Sequence, residues 1–233
     1  MSHLNNLSDP NTLKRKVDYF KFNFGPEINK IKSKPASFLE IGPGRGEFIA
    51  FLNRLGIDNI DIIDNDNEVI SFIEEKYKIS NSILSDDVVN IKNRLREYTA
   101  IVAIQLLEHL PPTSYSSFIR TIYSKLKKGG SIIIVVPNAN NPLGMVERYG
   151  DLQHQNSFTE QSLKDLILNS NIENYEIDIR GYNIPPYTFL NIIRIFMQKI
   201  LHLILLLIMI INGGTYFRTM TPNIVLIVRK KSS

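Results

Sequence analysis

The chain has 233 residues, no cysteine and a formal net charge of +4. This length favours a single domain with a substantial buried core. The absence of cysteine excludes disulfides and cysteine-based zinc or thiolate chemistry. The charge is too small to indicate a nucleic-acid partner, but it fits an anionic membrane surface or a phosphate-bearing substrate. The four histidines are scattered, without a pair at metal-ligand spacing on a helix, so no metal site is predicted.

The N-terminal part of the chain predicts an intracellular protein that begins with a helix. Residues 1–10 are polar and lack the apolar stretch of a signal peptide, so we expect a cytoplasmic location. Residues 11–34 predict a basic, aromatic helical segment. A break is expected near Gly25 and Pro26, because proline removes a helix hydrogen bond.

Beyond residue 35, apolar runs alternate with helical patterns, which favours stacked βαβ units and a mainly parallel sheet. The predicted strands lie at 37–41, 59–64, 82–84, 100–104, 131–136, 175–180 and 224–228. The predicted helices between them lie at 46–55, 67–77, 114–126 and 159–169.

The most informative segment is residues 38–48, FLEIGPGRGEF, which predicts a strand that turns through three glycines into a helix. Glycine lets the backbone approach a ligand where a side chain would collide. A strand, such a turn and a helix N-terminus form the nucleotide-binding corner of an open α/β sheet. A dinucleotide fingerprint needs G-x-G-x-x-G, and Glu47 stands where its third glycine would be. A reductase is therefore disfavoured.

The pattern Glu-x-Gly-x-Gly-x-Gly at residues 40–46 resembles motif I of class I S-adenosylmethionine-dependent methyltransferases. The resemblance implies a Rossmann-like, doubly wound α/β sheet of seven mostly parallel strands, of which the last is antiparallel. It also implies S-adenosyl-L-methionine as the cofactor. The expected cofactor-binding residues are Glu40 for the methionine ammonium, Gly42, Gly44 and Gly46 in the turn, Asp64 for the ribose, Asp86 for the adenine, and Gln105 for the methyl end.

Two of these assignments have alternatives. Asp64 could be an ordinary carboxylate at a strand end, since Asp61 and Asp66 lie nearby. Asp87, directly after Asp86, could take its place at the adenine, and Asp86 could instead cap a helix N-terminus.

Residues 105–110, QLLEHL, match the LEHL signature that follows strand four in many small-molecule methyltransferases. Methyl transfer is an in-line displacement, so the enzyme mainly aligns the nucleophile with the methyl group. A hydroxyl acceptor also gains roughly 10²- to 10⁴-fold from a general base. His109 is a candidate base because histidine titrates near neutrality, and a structural role is the alternative.

The run ERYGDLQH at residues 147–154, followed by SFT at 157–159, resembles methyltransferases of bacterial surface-polysaccharide (O-antigen or capsule) gene clusters. With the two motifs above, this resemblance covers roughly residues 35–170. It implies that Arg148 and Asp151 bind a sugar acceptor and that His154 is a second candidate for catalysis. The alternative is a structural loop in which Asp151 and His154 pair. Gln153 departs from the pattern, in which threonine is commoner.

An apolar helical insertion, residues 183–221, is predicted between the last two strands of a single domain whose core is 35–182 and 222–233. Its most hydrophobic part, residues 200–211, would extend only ~18 Å as a helix, short of the ~30 Å hydrocarbon core. A polar stripe at helical spacing runs along the segment: Thr188, Asn191, Arg194, Gln198 and His202. We therefore expect residues 187–211 to lie on a membrane surface rather than to span it. Burial in the core or a dimer contact is the alternative.

These features predict an O-methyltransferase that uses S-adenosylmethionine and acts on a sugar of a lipid-linked or cell-surface glycan. The enzyme would be cytoplasmic and peripheral on the inner face of the membrane. Two alternatives are a methyltransferase for a small lipophilic acceptor, such as a quinone precursor, and a cofactor-binding scaffold without turnover. The sequence leaves the acceptor sugar and the oligomeric state open.

Overall fold

The computed structural model describes residues 10–31, 35–214 and 217–232. The polar start of the chain and residues 32–34 of the predicted first helix lie outside these ranges. The helices are α1 Pro10–Ile31, α2 Glu47–Arg54, α3 Asn67–Lys76, α4 Tyr115–Ser124, α5 Met145–Tyr149, α6 Glu160–Asn169 and α7 Phe189–Ile211. The strands are β1 Phe38–Ile41, β2 Ile60–Asp64, β3 Asn81–Leu84, β4 Tyr98–Ile104, β5 Leu126–Pro137, β6 Tyr175–Gly181 and β7 Asn223–Lys230.

The seven strands form one sheet in the order β3-β2-β1-β4-β5-β7-β6. Strands β1 to β5 pair in parallel, and β7 is antiparallel to both of its neighbours. This confirms the predicted doubly wound α/β sheet, its antiparallel last strand and the apolar helix between strands six and seven. The chain reverses its direction of winding between β1 and β4, which opens a crevice at the carboxyl ends of these strands.

Two hydrophobic layers cover the sheet, one on each face. On one face, α1 and α2 pack through aromatic residues such as Phe24 and Phe48. On the other face, α4 and α6 contribute Ile119 and Leu163. Strand β5 is buried from Ser131 to Pro137, as expected for a strand covered on both sides. The crevice is therefore held by a rigid, fully packed sheet.

The expected break in the first helix was wrong, because α1 continues through Pro26. Its last turns are anchored to the sheet by the buried Glu27, which accepts hydrogen bonds from Arg229 and Ser131. Burial acts to raise the pKa of Glu27, but these hydrogen bonds outweigh it and leave the pKa below its usual value. Ile28 is fully buried beside it. Tertiary contacts thus hold the helix across a residue that would interrupt it in isolation.

The turn between β1 and α2 depends on close packing against α3. Gly46 caps α2 in the left-handed conformation at φ +72°. A Cβ atom at this position would lie 2.6 Å from Ile73 Cδ1 and even closer to the Tyr77 ring. Glycine is needed here both for the backbone conformation and for the space.

We predict that Gly46→Ala lowers the free energy of unfolding by about 2 to 5 kcal/mol, combining left-handed strain and overpacking. Gly56→Ala is the matched control, since Gly56 has φ +74° but nothing within 4 Å of its added Cβ. It should lose only the left-handed strain, about 1 to 2 kcal/mol. Urea unfolding of both variants measures the difference, and equal losses would contradict the packing role of Gly46.

Candidate active site

Two adjoining cavities occupy the crevice at the carboxyl ends of the strands. The first has a volume of about 450 Å³ and the second about 520 Å³, and Gly42 lines both. The first is lined by Arg15, Lys16, Tyr19, Phe20, Glu40, Gly42, Pro43, Gly44, Glu47, Phe48, Ile104, Gln105, Val135, Tyr182, Arg194 and Asn223. The second includes Asp64, Asp86, Asp87, Leu106 and His109. An elongated ligand can therefore cross the glycine turn with one end in each cavity.

Glu40 is the most unusual group in the first cavity. Its side chain is 3% exposed near the end of β1, and its Oε2 atom has no hydrogen-bond partner within residues 10–31, 35–214 and 217–232. Burial raises the pKa of Glu40 well above its usual value, and the nearby Glu47 raises it further. A buried carboxylate without a partner is costly. A cationic ligand in the cavity would remove that cost.

The three glycines of the turn have different roles. Gly42 and Gly44 line the first cavity with positive φ angles of +69° and +51°. No atom lies within 4 Å of a Cβ added to Gly44, so its missing side chain leaves open space for a ligand. Gly46 departs from the expected cofactor contact, because it faces Ile73 and Tyr77 and supports the turn from behind.

Of the three aspartates in and just after β2, one lines a cavity and two make structural contacts. Asp61 accepts hydrogen bonds from Arg96 and Tyr98, and Asp66 caps α3. Asp64 lines the second cavity, and burial raises its pKa although backbone N–H groups oppose the shift. Asp64 is thus a cavity-lining carboxylate, and its contact with a ribose stays a prediction.

The loop after β3 places Asp86 and Asp87 together in the wall of the second cavity. Asp87 accepts a hydrogen bond from the Val89 N–H at 2.7 Å and so stabilises the following turn. Asp87 does not cap a helix, because the helical turn that follows, Lys92–Arg94, has Ile91 at its N-cap. Asp86 keeps the predicted position beside the cavity.

Gln105 lines the first cavity directly after β4, and its predicted place at the methyl end of the cofactor stays a prediction. Its φ angle of +51° is in the left-handed region, which is costly for a residue with a side chain. The Gln105 Nε2 atom donates a hydrogen bond to Asn223 Oδ1 at 3.1 Å. Sequence analysis missed Asn223, because only the antiparallel pairing of β7 with β5 brings it to this edge.

Helix α1 and the insertion also line the first cavity, which sequence analysis did not predict. Helix α1 contributes Arg15, Lys16 and Tyr19, the insertion contributes Arg194, and Tyr182 lines the cavity directly after β6. The basic and aromatic composition of residues 11–34 was the available signal. The cavity therefore combines one buried carboxylate with basic and aromatic groups at its rim.

The LEHL segment forms a cluster with the loop after β5. Glu108 is fully buried, and the centroids of the His109 and His154 rings lie 4.6 Å apart. Burial raises the pKa of Glu108 to about 7. Burial lowers the pKa of His109, and the neighbouring His154 lowers it further. A neutral His109 imidazole can accept a proton or ligate a metal ion.

Arg148 and Asp151 have structural contacts in this loop. Arg148 donates hydrogen bonds to the backbone oxygens of His154 at 2.6 Å and Gln155 at 2.9 Å. Asp151 accepts a hydrogen bond from the Gln153 N–H, and its Oδ2 lies 4.0 Å from His154 Nε2. The structure therefore uses both predicted acceptor-binding residues to shape the loop that carries His154.

Comparison with known proteins identifies the family. A family profile described as "Methyltransferase domain" matches residues 13–177, which is more than half of the chain. The chain therefore belongs to this methyltransferase family. No curated protein sequence matched it.

Solved structures share the fold. A S-adenosylmethionine-dependent methyltransferase from Archaeoglobus fulgidus aligns with a TM-score of 0.64 and 21% identity, over 92% of this chain and 94% of that one. The plantazolicin methyltransferase BpumL, solved in complex with SAH, gives 0.60 and 16% over 97% and 87%. The methyltransferase domain of bacterial CtHen1 gives 0.56 and 15% over 91% and 99%. These identities establish a common architecture rather than a common acceptor.

The burial of Glu40 predicts how stability depends on pH in the ligand-free protein. Because the folded-state pKa is raised above 4.5, the folded state holds this proton more tightly than the unfolded state. The contribution of Glu40 to stability therefore falls as pH rises from 4.5 toward the folded-state pKa. Glu40→Gln removes this contribution, so we expect its melting temperature to exceed that of the wild type by more at pH 8 than at pH 5. A constant difference across that range would contradict the raised pKa.

Proposed function

We propose that this methyltransferase transfers a methyl group from S-adenosylmethionine to a hydroxyl of a sugar in a lipid-linked glycan at the cytoplasmic membrane surface. The observation that carries the cofactor assignment is Glu40, a buried carboxylate with an unpartnered oxygen in the cavity wall. The observation that supports a lipid-linked acceptor is helix α7, whose apolar side chains face away from the protein.

The residues at the crevice fit S-adenosylmethionine. Glu40 would hold the ammonium group of the methionine part, since a charge-assisted hydrogen bond satisfies its free oxygen. Gly42 and Gly44 leave room for the bulk of the cofactor at the turn. Asp64 and Asp86 would hold the ribose and adenine in the second cavity. The cavity rim near Gln105 and Tyr182 then remains for the acceptor.

The chemistry asks two things of the protein. S-adenosylmethionine supplies an electrophilic methyl carbon, to which an acceptor oxygen forms a bond while the C–S electron pair returns to sulfur. The protein must align the acceptor oxygen and take up the hydroxyl proton. The cluster of Glu108, His109 and His154 lies at the same edge of the sheet and would serve the second purpose.

Helix α7 exposes its apolar side chains to solvent, whereas a helix that packs on a protein core buries them. In the part of the chain that the structure describes, α7 is the helix that is long enough and apolar enough to cross a membrane. None of the residues in its most apolar stretch is buried. Asn191, Gln198 and His202, from the predicted polar stripe, are less exposed than their apolar neighbours. Asn191 donates a hydrogen bond to the Pro185 carbonyl, and Arg194 lines the first cavity. Asn191, Gln198 and His202 therefore face the protein, and most apolar side chains of α7 have no cover from the residues that the structure describes.

The connections of α7 argue against a membrane span. Both ends of the insertion join one edge of the sheet, where Gly181 pairs with Ile224. Residues 218–221 line a cavity together with Gln198 and His202, so the chain is already back at the protein by Arg218. Residues 212–217 alone would have to recross ~30 Å of hydrocarbon, but they reach only ~20 Å. A chain that returned through the hydrocarbon without regular structure would also leave its backbone N–H and C=O groups without hydrogen-bond partners, which a bilayer core does not tolerate.

We infer that a lipid surface covers the apolar face, with the helix axis lying along the membrane. Exposed basic residues suit anionic headgroups: Arg194 and Lys199 lie on α7, Lys21 lies over the Tyr187 ring just before it, and Arg15 lines the first cavity with Arg194. Because Arg194 also lines the first cavity, the mouth of the active site would lie close to the headgroups. A sugar on a lipid carrier presents its hydroxyls at that level.

A small lipophilic acceptor is the second candidate, and one observation favours it. Tyr19, Phe20 and Tyr182 give the first cavity an aromatic wall that would also suit a flat apolar ring. The two candidates differ in the acceptor that is methylated, which the assay below distinguishes.

We predict that the wild-type protein sediments with vesicles that contain anionic phospholipid. The variant Leu203→Glu/Ile210→Glu, at outward-facing positions of α7, should remain in the supernatant because two carboxylates oppose insertion. The control Leu55→Glu/Leu168→Glu adds the same charge at exposed positions elsewhere and should sediment like the wild type. Wild-type protein that stays in solution, or that forms a stable dimer through α7 in light scattering, would overturn the lipid assignment.

We predict transfer of radiolabelled methyl groups from S-adenosylmethionine to lipid-linked saccharides extracted from bacterial membranes. Mild acid, which releases the saccharide from its carrier, should move the label into the water-soluble fraction. Label that stays with apolar small molecules would favour the second candidate. Cofactor binding without transfer to either class would contradict an enzymatic role.

A further inference from the structure

We propose that Glu108, His109 and His154 bind one divalent transition-metal ion beside the acceptor site. One ligating atom of each of these three residues lies within 4.8 Å of the other two. No metal-ligand spacing is visible in the sequence, because His154 is far from the other two residues in the chain. The loop between α5 and α6 brings it to the end of β4.

Glu108 supplies the independent observation that a ligand belongs here. Its side chain is fully buried, and neither carboxylate oxygen has a hydrogen-bond partner among the described residues. An uncompensated carboxylate in this position is expensive for a folded protein. His109 Nδ1 is likewise buried without a partner. Two of the three proposed ligands, Glu108 and His109, thus carry buried polar atoms without a hydrogen-bond partner among the described residues.

The surrounding backbone holds the two ligand segments against each other. The Gln155 N–H donates to the Glu108 carbonyl at 2.8 Å, and the Gln155 side chain donates to the His109 carbonyl at 3.1 Å. Arg148 fixes the other side through the His154 carbonyl. Arg148 and Gln155 thus stabilise the loop, and through it they position His154 opposite Glu108 and His109.

The distances require a modest contraction. With bonds of about 2.1 Å, ligand atoms around one ion lie about 3.4 Å apart. The three residues must therefore approach by roughly 1 Å, which side-chain rotation of the two imidazoles can supply. Two imidazole nitrogens and one carboxylate favour Zn²⁺, Mn²⁺, Fe²⁺ or Co²⁺ over Mg²⁺ or Ca²⁺, which prefer oxygen ligands.

The site has an open side. His109 also lines the second cavity, so coordination positions beyond the three protein ligands face the crevice. If the proposed function is correct, the ion would contact the acceptor oxygen and lower the pKa of its hydroxyl. The two histidines would then act as ligands, and proton uptake would pass to solvent. Metal binding itself does not depend on this role.

The test is metal binding by the full-length protein without a histidine tag. Chelator-treated protein is titrated with Co²⁺, which is followed by visible absorption, and with Zn²⁺, which is followed by calorimetry and elemental analysis. We expect one ion per chain. Glu108→Gln and His154→Gln should each weaken binding at least tenfold. His202→Gln, which removes a histidine from α7, should bind as the wild type does.

Calorimetry with S-adenosylhomocysteine checks that each variant keeps the folded cofactor site. Wild-type protein that takes up no ion, or Glu108→Gln and His154→Gln variants that bind as tightly as the wild type, would overturn the metal site. A protein that binds the ion but methylates neither glycans nor small acceptors would instead contradict the proposed function. The two failures are therefore distinguishable.

Discussion

The site is organised around a carboxylate that the fold buries without satisfying. Glu40 lies one residue before the end of the central strand β1, where neighbours on both sides exclude water, and one of its oxygens has no partner in the part of the chain that the structure describes. Such a group costs stability in the empty protein and gains a strong interaction when a cation arrives. The glycines that follow it keep the same wall free of side chains. Stability given up at Glu40 is thus the source of affinity for a ligand that carries an ammonium group.

A second unsatisfied carboxylate, Glu108, lies at the end of the adjacent strand β4. The two acidic groups divide the crevice: Glu40 faces the first cavity, and Glu108 faces His109 and His154. In our account the first meets the cofactor and the second meets a metal ion. The parallel pairing of β1 with β4 fixes the spacing between these functions, because both strands end at the same edge of the sheet.

Helix α7 extends the same edge toward a surface. Two of its polar residues contact the rest of the protein. Asn191 donates a hydrogen bond to the Pro185 carbonyl, and Arg194 lines the first cavity. Its apolar residues are left for an outside partner. In our proposal a lipid surface covers these apolar residues, and the helix then orients the crevice toward the headgroup layer.

Local signals in the sequence predicted most of the fold. Apolar runs located all seven strands, and residues 40–46 located the nucleotide corner. Short-range pattern failed where tertiary contacts decide: the Glu27 contacts carry α1 through Pro26, and β7 pairing brings Asn223 to Gln105. Sequence also could not show that Gly46 serves packing, since Ile73 and Tyr77 reach it from another helix. His154 joined Glu108 only through the course of a loop, which no periodicity encodes.

The role of Glu40 is tested most directly by comparing two nucleosides in calorimetry. S-adenosylhomocysteine carries the ammonium group, and 5′-methylthioadenosine lacks it. The account predicts that the wild-type protein binds the first at least tenfold more tightly, about 1.4 kcal/mol, and that Glu40→Gln abolishes most of this preference. Equal affinities in the wild type, or binding of NADH with no heat from S-adenosylhomocysteine, would contradict it.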